Sequence, residues 1–203
     1  MNPVTRRPRR FIVNSGGAHA DLVNRLHRLA SRCWPATPVD AANLADAVGR
    51  VLAALRDGDM IRRLEFWGHG RPGAMRVGDE EVKVESFAPG HPHGALFAQL
   101  RPWLADDAVV WFRGCSTFAG TDGKNFARGA AAFFGRRIAV WGQSRLLGFN
   151  LDWGGTVRLT AGAEPDWPDV DGSDKALKKQ GGGIVGRAAR LLRQAGRILS
   201  NRL

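Results

Sequence analysis

Two side chains in this sequence are equipped for nucleophilic chemistry, and each stands where an apolar run ends. Leu64-Glu65-Phe66-Trp67-Gly68-His69-Gly70 brings a histidine, held between two glycines, to the end of a strand-like segment. Ala108-Val109-Val110-Trp111-Phe112-Arg113-Gly114-Cys115 brings a thiol, one residue past a glycine, to the end of another. A thiol attacks as its thiolate, and an imidazole within reach takes the proton and stabilises the anion. His69 and Cys115 are therefore the candidate catalytic residues, base and nucleophile. Gly70 and Gly114 leave backbone N–H groups uncrowded, which makes them candidates for donating to a developing oxyanion.

Such a pair works only if two distant segments end at the same place. In an open parallel sheet the C-terminal ends of the strands share one rim, and ligands bind in the crevice outside it. The rest of the chain suits such a sheet. Phe11-Ile12-Val13-Asn14 reads as a first strand with Ser15-Gly16-Gly17 as its exit, so Asn14 and Ser15 join the rim as candidates for touching substrate. Asp21 to Cys33 and Asp40 to Arg56 carry apolar residues at helical spacing, the second capped by Asp40. Residues 74–82 read as a hairpin turning at Gly78-Asp79, 96–104 as a short helix, 125–134 as a helix, 137–141 as a buried strand and 156–160 as an edge strand. Strands alternating with helices predict an α/β fold.

Other motifs compete for the same residues. Gly68-His69-Gly70-Arg71-Pro72-Gly73 spells the dinucleotide-binding G-x-G-x-x-G, but that motif must open a helix, and Pro72-Gly73 leads into the hairpin instead. Gly114 to Lys124 lacks the glycine spacing and the Gly-Lys-Ser/Thr of a phosphate loop, and a nucleophile elbow needs its base after the nucleophile. His91-Pro92-His93 invites a metal, yet no carboxylate or cysteine pair accompanies it, so no metal and no cofactor is expected. The plain alternative is a buried cysteine and a hydrogen-bonded histidine with no chemistry between them.

Trp67-Gly68-His69-Gly70, Val77-Gly78, then Gly114-Cys115-Ser116-Thr117-Phe118-Ala119-Gly120-Thr121-Asp122-Gly123 and Phe126 resemble a domain of unknown function that recurs in large bacterial surface proteins. The order His-Gly then Gly-Cys after successive long strands is also similar to the caspase-like His-Cys peptidases. That resemblance covers roughly residues 11 to 142. It implies a three-layer fold, a mostly parallel central sheet with helices on both faces, in which His69 is the proton shuttle, Cys115 the nucleophile and a thioester the intermediate. It implies a peptide or protein substrate. Relatives use the segment after the strand at 137–141 to pair with substrate, so Trp141 and Gln143 become candidates for lining the groove, and Asp122 and Asp152 for receiving a basic side chain. A catalytically silent relative that binds protein or membrane is the alternative.

Charge lies mainly at the two ends. Residues 1–10 hold four arginines and 175–203 hold eight Lys or Arg, neither with an acid, while 18 basic residues face all 19 acids between. The body is about neutral, which does not support a nucleic-acid-binding face. Organisation is expected as a basic arm over 1–10, one domain over 11–168, and a basic tail over 169–203. In that tail Gly181-Gly182-Gly183 would be a hinge, and 184–203 an amphipathic helix suited to an anionic membrane surface or a protein partner. The apolar stretch after the N-terminal arginines is too short for a signal peptide, and Cys33 and Cys115 cannot form a disulfide framework. A reducing cytoplasm is the expected location.

Overall fold

Runs dense in Val, Ile, Phe and Trp alternate along the chain with segments carrying one apolar stripe, and a computed structural model describing residues 6–16, 22–145 and 155–168 shows how they assemble. In chain order the elements are β1 (Arg7–Ser15), α1 (Leu22–Ser31), β2 (Thr37–Ala41), α2 (Leu44–Ala53), β3 (Asp59–Trp67), β4 (Gly70–Arg71), β5 (Ala74–Val77), β6 (Glu80–Lys83), α3 (Pro92–Leu100), β7 (Leu104–Arg113), α4 (Gly120–Phe134), β8 (Ala139–Gln143) and β9 (Thr156–Leu159). The central sheet has the order β2-β1-β3-β7-β8-β9, parallel throughout except for antiparallel β9. A small antiparallel sheet, β4-β5-β6, stands beside the end of β3.

Alternation along the strands gives the central sheet two faces. On one, Phe66 and Phe112 stack with ring centroids 5.6 Å apart, and Phe97 of α3 and Phe126 of α4 meet them edge-on at 5.8 and 5.0 Å. The buried stripe of α2, Leu44, Ala47, Val48 and Val51, joins the same core. On the other face α1 is tied down by His27, whose ring meets Trp67 edge-on, and by Ser31, whose hydroxyl accepts from the Asn14 amide at 2.9 Å. Helices therefore cover both faces of a mostly parallel sheet, a three-layer α/β arrangement.

Several boundaries differ from the sequence expectation, each for a local reason. The sheet begins at Arg7, so the second half of the expected basic arm is strand, with Arg9 paired to Asp59 at 2.7 Å and Arg10 to Glu65 at 2.6 Å. Thr37–Ala41 is an edge strand where a loop and a helix cap were expected; only β1 pairs with it, and an edge tolerates Pro38. Asn43, not Asp40, caps α2, its side chain accepting from the Asp46 N–H at 2.8 Å. Helix α3 starts early because Pro92 fits its first turn behind His91, and α4 starts at Gly120 rather than Asn125. Asp152, the glycine hinge and the helix expected over 184–203 lie outside the described residues.

Candidate functional site

Strands β3 and β7 are neighbours, and their register matches Glu65 with Trp111, Phe66 with Phe112 and Trp67 with Arg113. His69 and Cys115 each lie two residues beyond that last matched pair. The two side chains thus leave adjacent strands, about 4.8 Å apart, at the same level of the C-terminal rim. The exit loops touch. A Cβ placed on Gly70 would lie 2.7 Å from the Cys115 carbonyl oxygen and 2.5 Å from Thr117 Oγ1, and one on Gly114 would lie 2.9 Å from the Gly70 Cα. Glycine at both positions is thus required by close approach of backbone, whatever their N–H groups do. Both His69 and Cys115 are partly exposed.

The loop carrying the thiol is held in an uncommon shape. Ser116, directly after Cys115, has φ 55°, the only positive value at a non-glycine among the described residues. Such a conformation costs about 1–3 kcal/mol and persists where the surroundings over-determine it. Here they do: Ser116 N–H donates to the Arg145 carbonyl at 3.2 Å, Phe118 N–H to Gln143 at 2.8 Å, Gly73 N–H to Thr117 at 3.1 Å and the Trp167 indole to Phe118 at 2.9 Å. On the histidine side, Arg76 N–H donates to the His69 carbonyl at 2.8 Å, and the Ser15 hydroxyl accepts from Gly78 N–H at 2.8 Å, fixing the hairpin beside the rim.

The other expected site residues lie on the neighbouring elements. Asn14 is buried, its amide donating to Ser31 and to Asp40, and Ser15 is buried with its hydroxyl accepting from Gly78 N–H, so both hold elements together. The Trp141 ring lies below the rim, 5.2 Å from Trp111, and the buried Gln143 amide donates to Thr156 Oγ1 at 3.0 Å. Strand β8 itself is paired on both edges, with β7 on one side and with β9 from Val140 through Gln143 on the other. Asp122 is exposed in the first turn of α4, packed against Gly73.

Beneath the rim lies a buried charge cluster outside the two motifs. Glu65, 0% exposed, accepts from Arg113 Nη1 at 3.0 Å, Arg10 Nη2 at 2.6 Å and the Trp67 indole at 2.9 Å, with Arg63 Nε at 2.8 Å. The Arg113 guanidinium lies over Trp111, 3.9 Å from the ring centroid, and over Trp67 at 4.7 Å. Burial pushes the Glu65 carboxyl upward, but Arg113 and Arg63 outweigh it and hold the group below its ordinary range. A visible signal existed: a glutamate and an arginine inside apolar runs, four residues before His69 and two before Cys115.

Beside the histidine opens a cleft of about 330 Å³, lined by His69 and Gly70 and, from the hairpin, Arg71, Ala74, Arg76, Asp79 and Glu81. Arg71 grips Glu81 through two bonds of 2.8 and 2.9 Å. His91 and His93 are elsewhere, His91 accepting from the His93 N–H at 3.1 Å and His93 sharing a hydrogen bond with Ser86. Among the described residues no cluster of three or more His, Cys, Asp or Glu could hold a metal, and no helix is long and apolar enough to cross a membrane. No curated protein and no solved structure matches the chain. One family model does, over residues 20–152, a span that holds β3, β7 and both rim residues. By that match across most of its length, the chain belongs to the family described as a domain of unknown function, DUF4347.

Proposed function

We propose that the chain is a caspase-like cysteine peptidase working through His69 and Cys115. The observation that carries this reading is the register: Trp67 opposite Arg113 brings the imidazole and the thiol to one level on neighbouring strands, with their glycine loops in contact. The three-layer, mostly parallel architecture is the one the motif resemblance implies, which supports it further.

In this reading His69 takes the proton from Cys115 Sγ, and the thiolate attacks the carbonyl carbon of a peptide bond. The negative charge passes to the carbonyl oxygen, where backbone N–H groups near Gly70 and Gly114 receive it. The C–N bond then breaks, His69 returns its proton to the departing amine, and a thioester remains on Cys115. Water attacks the thioester with His69 again as base, which releases a carboxylic acid and the free thiol. A reducing compartment such as the cytoplasm keeps the nucleophile usable.

The test needs no substrate. Iodoacetamide alkylation of Cys115 is followed across pH, with the exposed Cys33 as internal reference. A thiolate present well below the ordinary value of about 8.5, and lost in His69→Ala, is expected. Equal, slow alkylation of both cysteines that ignores His69 overturns the reading.

A second reading rests on the eight Lys or Arg without an acid over residues 175–203. It is a binding module that docks on an anionic membrane surface or a protein partner through 184–203. Salt-sensitive sedimentation with anionic vesicles, abolished when Arg187, Arg190, Arg193 and Arg197 are changed to Glu in the full chain, is its expected signature. Vesicle binding unchanged by those substitutions removes it.

A further inference from the structure

We infer that the cleft beside His69 receives the part of the substrate that follows the scissile bond, and that Arg76 selects an acidic side chain there. The inference rests on the peptidase reading and adds which half of the substrate this wall meets and what it prefers.

The direction follows from proton chemistry and strand order. The sheet runs β1-β3-β7-β8, so His69, at the end of β3, stands on one side of Cys115 and the end of β8 stands on the other. The departing amine must collect its proton from the imidazole, so the leaving half of the peptide passes over His69, and the acyl half extends toward β8. Every residue lining the cleft comes from the His69 loop or the hairpin, and none from β7 or β8. The cleft therefore belongs to the leaving half.

The preference follows from which charges there are already matched. On the outer side of the hairpin Arg76 is the cross-strand partner of Glu81, and the two stand directly opposite each other. Glu81 is taken up elsewhere, by Arg71 through both carboxylate oxygens and by Lys83 at 3.0 Å. Arg76 forms no ion pair among the described residues, and it is the hairpin residue whose N–H is bonded to the His69 carbonyl. Its backbone thus lies directly against that of the reacting histidine, and its guanidinium, unlike that of Arg71, is not taken by Glu81. Asp79, the other charge in the lining with no ion pair among the described residues, sits at the hairpin's turn, three residues further on.

The full chain is incubated with a random-sequence peptide library, and the new N-termini are identified by mass spectrometry. Asp and Glu are expected as the first residue after the cut, enriched over Lys and Arg by roughly three- to fivefold, as for a partly exposed ion pair. Arg76→Ala flattens that ratio and Arg76→Glu reverses it, whereas removing a distant surface cation, Arg62→Ala, leaves it in place. A flat preference in the unaltered protein overturns the inference alone, as does a preference that survives Arg76→Glu or shifts equally in Arg62→Ala. Absence of cleavage in every peptide overturns it together with the peptidase reading.

Discussion

The two faces of the central sheet are built from different physics. Where the sheet meets α2, α3 and α4 it is aromatic and aliphatic: Phe66, Phe112, Val110 and Leu64 pack against Phe97, Phe126 and the α2 stripe. On the opposite face, which α1 joins through His27 and Ser31, it carries Glu65, three arginines and the rings of Trp67 and Trp111. Apolar burial is strong but non-directional, and Phe66 would pack nearly as well against other neighbours. The charged face costs desolvation, and recovers it only in one geometry, with Glu65 of β3 meeting Arg113 of β7. A one-residue slip between strands would turn Glu65 into the phenylalanine face. The comparison teaches that the apolar face supplies cohesion, and the charged face fixes the register that brings His69 level with Cys115.

The largest effect that would break this comparison is expected from Glu65→Gln. Removing the one carboxylate leaves the buried Arg113 guanidinium, with the partly buried Arg10 and Arg63, uncompensated, at about 3–5 kcal/mol of unfolding free energy in urea titrations. Because the register loosens with it, Cys115 alkylation in that variant should lose its His69-dependent component even in the folded fraction. The same carboxylate gives a pH signature. Its folded-state pKa lies below the unfolded one, so its contribution is complete above about pH 4–5 and is lost as pH falls through the folded value. Acid titration should therefore destabilise the unaltered protein more steeply than Glu65→Gln; parallel curves would remove Glu65 as the cause.

Phe112→Leu sharpens the contrast from the apolar side. It should cost about 1–2 kcal/mol by lost packing, while the pH profile of Cys115 alkylation stays as it was. A profile that moves in Phe112→Leu and not in Glu65→Gln would invert the assignment of the two faces. The smallest effect belongs to Arg62, paired with Asp107 at 2.6 Å with both side chains 63% exposed. Solvent and salt screen such a pair, so Arg62→Ala should change stability by less than about 0.5 kcal/mol. A loss comparable to that of Glu65→Gln would show that charge alone, rather than buried charge, stabilises this sheet.

Much of the architecture was legible in the sequence because it rests on local pattern. The apolar runs ending at Trp67 and Arg113 are strands, the hairpin turns at Gly78-Asp79, and the segment from Thr156 is an edge strand, as composition and turn residues indicated. Strand β2 is not legible in local pattern because Thr37-Pro38-Val39-Asp40-Ala41 is short, contains proline and carries only a single-edge pairing. Position at strand ends points to Asn14, Ser15 and Gln143 as rim residues. Their side chains bond to Ser31, Gly78 and Thr156, contacts with residues 13 to 63 positions away that no local pattern announces.

What the sequence alone determined is the supply of parts: a histidine and a cysteine, each after an apolar run and each beside glycine, and an alternation that can only fold as α/β. What the tertiary structure decided is that β3 and β7 are neighbours and that Trp67 faces Arg113. It also decided that Gly70 and Gly114 are pressed together and that Ser116 is held at φ 55°. The physical reason is that register between parallel strands is set by side chains meeting across the sheet, here Glu65 and Arg113. Their partnership exists only once both strands are paired.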